Sequence, residues 1–298
     1  MTNIKIFSIR GEKPEEIKRK HLELEKEMQK IIEHNMDEFF GIKFLASEFS
    51  TGKKHKGRVD SLGIDENYFP VIIEYKKQKH ENIINQGLFY LDWLSDHHGD
   101  FEILVQKQIG NKDKYGKKIE IDWTSPRLLC IAEDFTKYDS YAVEQMNRNI
   151  ELIKCQMYHN DLILFELVNA VEGETQPQPS RSYKGFKEYL IEATEEIKGL
   201  FQGIDEYILS LGDDIQKKEL KYYVAYKKLS NFTCVELKKD KILLFLKIDP
   251  ASLSEIPEFA RDVTDKGHYG TGNLEVTVKT VEDLEMVKPF IEKSYMEN

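Results

Sequence analysis

The sequence predicts an α/β layered fold around a mixed sheet, followed by a small α+β unit. Three observations carry this: apolar residues at helical spacing in the first forty or so positions, a series of short β-rich runs interrupted by a helical segment, and a polar, proline-bearing seam after which the pattern restarts. The order of helix, three strands, helix and more strands is what a sheet flanked by helices requires. At 298 residues the chain exceeds the comfortable size of one hydrophobic core, which favours two domains.

Pro14 sits where a first-turn proline is tolerated. Leu24, Met28, Ile31, Ile32, Met36 and Phe39 then recur at helical spacing until Gly41, predicting one long amphipathic helix. Runs rich in β-branched and aromatic residues follow at Lys43–Phe49, Arg58–Ile64, Phe69–Lys76, Phe101–Lys107, Lys118–Trp123 and Arg127–Ala132, each predicted as a strand. A helix from about Ile83 to Ser95, with Gly99 beyond its end, separates the third run from the fourth. The polar, glycine-bounded segment Gly110–Gly116 reads as a hairpin tip. A helix over Ser140–Asn149 precedes strands at Glu151–Met157 and Leu162–Val168.

The seam is Glu172–Ser182, EGETQPQPSRS, which divides the chain into a first domain of residues 1–171, a linker of 172–182 and a second domain of 183–298. The second domain opens on a helix carrying Ile197, Leu200, Phe201, Ile204, Ile208 and Leu211, closed by Gly212. Strands are predicted at Lys221–Tyr226, Phe232–Leu237, Ile242–Ile248 and Leu274–Lys279, with Lys239 and Asp240 at a hairpin turn, and a helix at Val281–Lys293.

Hydrophobic residues at 40% and aromatic residues at 11% exclude collagen-like and disordered chains. A net charge of −10, with both halves acidic, argues against a protein that coats nucleic acid by bulk charge. Three cysteines without a CxxC pair support neither a disulfide framework nor a cysteine zinc site. No apolar run approaches a membrane span and the N-terminus carries no apolar signal core, so the expectation is a soluble, cytoplasmic protein without a membrane partner.

The chemistry concentrates in GRVDSLGIDENYFPVIIEYKK, residues 57–77. Alternation along Val71–Lys76 projects Glu74 and Lys76 from one face with Ile72, on a strand apolar enough to be covered on both sides. A structural ion pair between Glu74 and Lys76 would account for them alone. Three further features point elsewhere. Pairing of neighbouring strands can bring Asp60 near Glu74. Glu25 falls on the apolar face of the first helix, three and seven residues before Met28 and Ile32. Gln86 and Tyr90 stand four apart on the next helix. Asp60, Glu74 and Glu25 would offer hard oxygen ligands for Mg²⁺ or Mn²⁺, and Lys76 could orient or deprotonate a water and offset phosphate charge, an assembly suited to phosphodiester hydrolysis.

Asp60 followed by Glu74-Tyr75-Lys76 resembles the PD-(D/E)XK nuclease superfamily. Gln86 and Tyr90 resemble the QxxxY element of its RecB-like and NucS-like branches, and Glu25 with Gln29 resembles the glutamate of their first helix. Glu48 stands where NucS-like proteins also carry an acidic residue. Val59 replaces the proline of the superfamily name. The resemblance spans roughly residues 20–168 and implies a restriction-endonuclease-like mixed sheet flanked by helices. It also implies a metal-dependent nuclease acting on DNA in repair, restriction or defence, with Gln86, Tyr90, Glu48 and Arg58 as supporting or nucleic-acid-binding residues. Residues 183–298, with Lys221–Lys227 and the stretch from Arg261 to Gly272, resemble a domain-of-unknown-function family sometimes labelled transport-related.

Two other functions stay open at this level: a non-catalytic binding module that keeps the nuclease scaffold, and a second domain that binds a protein or small ligand, for instance through the His268 turn. A homodimer is also allowed for. Lys53, Lys54, Lys56, Arg58, Lys76, Lys77, Lys79, Lys112, Lys114, Lys117 and Lys118 offer a candidate phosphate track, although solvated loops look the same. GHYGTG reads as a tight turn, not a phosphate loop. Asp96–Asp100 reads as a helix end with basic side chains near its carbonyls, and Trp93 and Trp123 read as core.

Overall fold

The computed structural model describes residues 4–9, 13–20, 25–52, 56–76, 83–171, 173 and 185–298. The predicted linker, Leu24, and Lys53, Lys54, Lys77 and Lys79 lie outside the described residues, apart from Gly173. The chain forms two compact units: Met1–Glu38, Ile42–Gln108 and Glu120–Pro177 in the first, and Phe39–Gly41, Ile109–Ile119 and Gln178–Asn298 in the second.

The first unit opens with a hairpin of β1 (Ile6–Ile9) and β2 (Pro14–Ile17). Pro14 is therefore a strand residue, not the start of a helix, and its missing N–H costs nothing at the end of a two-stranded ladder. Two helices follow, α1 (Glu25–His34) and α2 (Met36–Phe40), where the sequence predicted one; the break comes at Asn35. Next come β3 (Ile42–Ser50), β4 (Arg58–Asp65) and β5 (Pro70–Lys76), then α3 (Ile83–Asp96) and α4 (His98–Gln108). β6 (Arg127–Ala132), α5 (Lys137–Glu144), β7 (Asn149–Tyr158) and β8 (Leu162–Val171) complete the unit.

The six strands lie in sequence order, β3 to β8. β5–β6 and β6–β7 are parallel, and the other neighbours antiparallel, so the sheet is mixed as expected. β5 and β6 occupy the middle and are buried along their length except at Lys76. Helix α3 packs on both of them. At Gly87 the approach is so close that a β-carbon would lie 2.4 Å from Leu128 Cδ1.

Two predicted strands are corrected. Phe101–Lys107 is part of helix α4, because its buried pair, Phe101 and Val105, stands four residues apart while Ile103 between them is half exposed. Lys118–Trp123 forms no strand; Asp122 instead hands its N–H to the Tyr68 carbonyl. The predicted helix at Ser140–Asn149 starts earlier, where Thr136 and Asp139 form a capping box, and Asn149 already belongs to β7.

In the second unit, β9 (Gln216–Glu219), β10 (Val224–Lys227), β11 (Asn231–Leu237), β12 (Ile242–Leu246), β13 (Ala260–Asp262) and β14 (Leu274–Val278) form an antiparallel sheet in the order β13-β14-β12-β11-β10-β9. Helices α6 (Phe186–Glu192), α7 (Glu195–Leu209) and α8 (Val281–Glu297) cover one face, where Ile197, Leu200, Leu284 and Ile291 pack with Val224, Phe232, Leu244 and Val276. The other face carries Tyr223, Ala225, Cys234, Leu243 and Phe245. Strands β9 and β13 and helix α6 are additions to the sequence reading, too short to leave a periodic signal. The expected α+β class holds for this part of the chain.

Candidate active site

Asp60 and Glu74 meet where β4 and β5 leave their ladder. The strands pair in register up to Ser61 opposite Ile73. One step further, side chains replace the backbone bonds: the Asp60 N–H donates to Glu74 Oε1 at 3.2 Å, and the Tyr75 N–H donates to Asp60 Oδ2 at 3.1 Å. Each carboxylate is thus tied to the opposite strand. Glu74 is fully buried, and its Oε2 has no hydrogen-bond partner among the described residues.

Burial, reinforced by the Asp60 charge, pushes the Glu74 carboxyl up to about 9. Asp60 is also raised, again chiefly by burial, with the Tyr75 N–H and the Lys76 ammonium opposing. Two carboxyls that resist ionisation side by side leave a deficit of positive charge.

Lys76, the last residue of β5, is mostly buried and lies 3.4 Å from Glu25 Oε1, which opens α1. Glu25 is therefore at the site but engaged with the lysine. Arg58, two residues before Asp60, pairs with Glu48 at 2.6 Å. Glu48 takes up left-handed backbone (φ 52°), uncommon outside glycine. The Tyr90 hydroxyl accepts the Arg58 N–H at 3.1 Å and a bond from Gln86 Nε2 at 3.5 Å, so α3 braces the start of β4. Asp60, Arg58, Lys56, Ser50, Gln86 and Tyr90 share the lining of a cleft of about 570 Å³.

The structure thus links Asp60 to Glu74 and Lys76 to Glu25, and brings Asp60 into one cleft with Arg58, Gln86 and Tyr90, Arg58 being paired with Glu48. It does not gather a finished metal cage: among the described residues no three carboxylate, histidine or cysteine side chains converge on one point. The chemistry of Asp60 and Glu74 nevertheless fits a hard divalent cation. The orphaned Oε2 of Glu74 and the mutual repulsion of the pair are what such an ion relieves. Glu25 fits less well as a direct ligand because Lys76 holds it.

A partly buried polar network behind Asp60 was missed from sequence. Gln29 Nε2, with two hydrogens to give, lies within hydrogen-bond reach of the Asp60 carbonyl (3.0 Å), Glu33 Oε1 (3.0 Å) and Ser47 Oγ (3.2 Å), and Ser61 Oγ donates to Glu33 Oε1 at 2.5 Å. The signal was present: Gln29 sits between Met28 and Ile32 on the buried side of α1, with Glu33 one turn beyond.

Elsewhere, the sequence reading of the remaining features holds in part. His97 Nδ1 lies 2.7 Å from the Trp93 carbonyl at the end of α3, whereas His98 opens α4 and stacks on Trp123. Trp93 is core, and Trp123 packs between His98 and Phe101. GHYGTG is a turn before β14, with Gly270 and Gly272 at positive φ. No helix among the described residues is long and apolar enough to cross a membrane.

Residues 186–298 match the family described as "Domain of unknown function (DUF5655)", in agreement with the resemblance of the second half. The whole chain is similar to an "Uncharacterized protein" of Haemophilus influenzae, 26% identical over 306 aligned positions covering 98% of this chain and 99% of that one. Among solved structures, one described as "Structure of EndoMS-dsDNA2 complex" matches 51% of this chain at 18% identity with a TM-score of 0.31. The match covers 64% of that chain, under two thirds of its length. A likeness this slight carries nothing over to the present protein.

Proposed function

We propose that the first unit is a divalent-metal-dependent phosphodiesterase acting on nucleic acid, DNA in the first instance. The observation that carries this is the Asp60–Glu74 pair, in which Glu74 is fully buried with an orphaned oxygen, on the strand that ends at Lys76. Asp60 and Glu74 would hold Mg²⁺ or Mn²⁺, with Glu25 contributing through water or after release from Lys76. When bound, the ion supplies positive charge to the phosphate and acidifies a water.

The protein's own groups do the rest. Lys76 Nζ donates to a phosphate oxygen or to the attacking water, its ammonium held in place by Glu25. Lys56 and Arg58 face the cleft and meet the flanking phosphates. Tyr90 and Gln86 fix the Arg58 backbone and thereby the start of the strand that presents Asp60.

The assay is incubation of the full-length protein with single- and double-stranded DNA plus Mg²⁺ or Mn²⁺. Cleavage is expected, and Asp60→Asn and Lys76→Ala should each lower its rate by about 100-fold or more. Undiminished cleavage by either variant would overturn the assignment. A second reading, a binding module without catalysis, is favoured by the Glu25–Lys76 pair standing where a third ligand would be needed. DNA binding with no cleavage under either metal would decide for it.

A further inference from the structure

The second unit takes in more than the C-terminal half of the chain. Leaving the first unit at Gln108, the backbone contributes Ile109–Ile119 to the second and returns at Glu120. This loop is internally fixed. Asp113 Oδ1 accepts the N–H groups of Tyr115 and Lys117, both at 2.9 Å, and Ile119 N–H donates to the Asn111 carbonyl at 3.0 Å.

The loop is also held from outside. Lys114 Nζ and the Tyr115 hydroxyl both donate to the Thr264 carbonyl, at 3.1 and 3.2 Å. Lys117 Nζ lies 3.6 Å from the centre of the Tyr269 ring, and that ring stacks on Tyr222 at 4.4 Å. The receiving segment is itself seated on the sheet face opposite helices α6, α7 and α8. There, His268 stacks on Phe245 at 4.2 Å, and Gly270 passes so close to Cys234 that a β-carbon would lie 2.6 Å from Cys234 Cβ. Two of the lysines offered above as phosphate contacts are thus committed to the second unit.

We propose that this aromatic face is an internal docking site for the lysine- and tyrosine-bearing hairpin, and that by gripping it the second unit restrains the segments on either side. Upstream, α4 continues from α3, the helix of Gln86 and Tyr90. Downstream, residues 120–126 run into β6, whose Cys130 and Ala132 pair with Glu74 and Lys76. The grip therefore falls on the connection between the two elements that adjoin the candidate site. The inference stands whether or not that site cleaves nucleic acid.

Hydrogen–deuterium exchange on the full chain tests it, comparing the wild type with the double variant Lys117→Gln/Tyr115→Phe and with Tyr269→Leu. Exchange in 109–119 should rise on the order of tenfold, with faster exchange in 98–108 and 120–126 and no change in α7 or β11. Unchanged exchange in 109–119 would overturn the docking. A rise confined to 109–119 would overturn the restraint. Should Tyr269→Leu also loosen α7, the unit has unfolded and the double variant, which leaves the sheet face intact, decides.

Discussion

A carboxyl buried as deeply as that of Glu74 must keep its proton, acquire a cation or destabilise the fold. Its folded-state pKa, about 9, stands above the ordinary 4.5, so the native state binds more protons than the unfolded state between those values. The associated stability is fully present below pH 4.5 and is lost as pH rises through 9. Melting in EDTA should therefore reveal a loss of up to about 1.4 kcal/mol per pH unit from pH 5 to 9. Glu74→Gln should flatten that slope and melt higher than wild type at pH 8, while Mg²⁺ should stabilise the wild type and leave the variant unmoved. An unchanged slope in the variant would show that Glu74 is not the group responsible. The Arg127 guanidinium behaves oppositely: it is buried between Asp65 (2.7 Å) and Glu151 (2.7 Å) at the far end of β5 and β6. Arg127→Met would strand two buried carboxylates and should cost about 3–5 kcal/mol in denaturant titrations.

At the scale of elements, α3 is set by contact with the sheet, and Gly87 decides how close it comes. A methyl at Gly87 would lie 2.4 and 2.6 Å from the two terminal carbons of Leu128, which is itself fully buried, so that the side chain or the helix must shift. Gly87→Ala should therefore destabilise by about 1–3 kcal/mol, readable as a lower melting temperature. It should also shift Tyr90 away from the Arg58 N–H. If the substitution leaves the melting temperature unchanged, the packing is looser than described. The elements around the candidate site were legible because strong local signals agreed with the fold. Alternation in Val71–Lys76 placed Glu74 and Lys76 on one face, and the four-residue spacing of Gln86 and Tyr90 placed them on another. What escaped the sequence lacked such agreement. Phe101–Lys107 has the composition of a strand and the burial of a helix, and burial decided. The Gln29 network depends on bonds to Ser47 and the Asp60 carbonyl that no spacing along α1 reveals.

For the whole molecule, a net charge of −10 opposes any polyanion, so the proposed activity requires attraction that is local and aided by a cation. The described cations at the cleft and beside it are few: Lys56, Arg58 and Lys76, of which Arg58 is paired with Glu48 and Lys76 with Glu25. Without metal, the Asp60–Glu74 pair adds repulsion as pH rises. Binding of a fluorescent DNA oligonucleotide in EDTA at pH 8 should therefore be weak and should strengthen several-fold on adding Ca²⁺, a hard ion with the same preference for oxygen. With phosphate contacts from these three described cations, the logarithm of affinity against the logarithm of salt should fall with a slope of about −2 to −3. Asp60→Asn should tighten binding in EDTA by removing a negative charge, and should lose most of the response to Ca²⁺. A steep salt slope, or tight binding that ignores both the ion and Asp60, would place the nucleic-acid surface elsewhere on the chain.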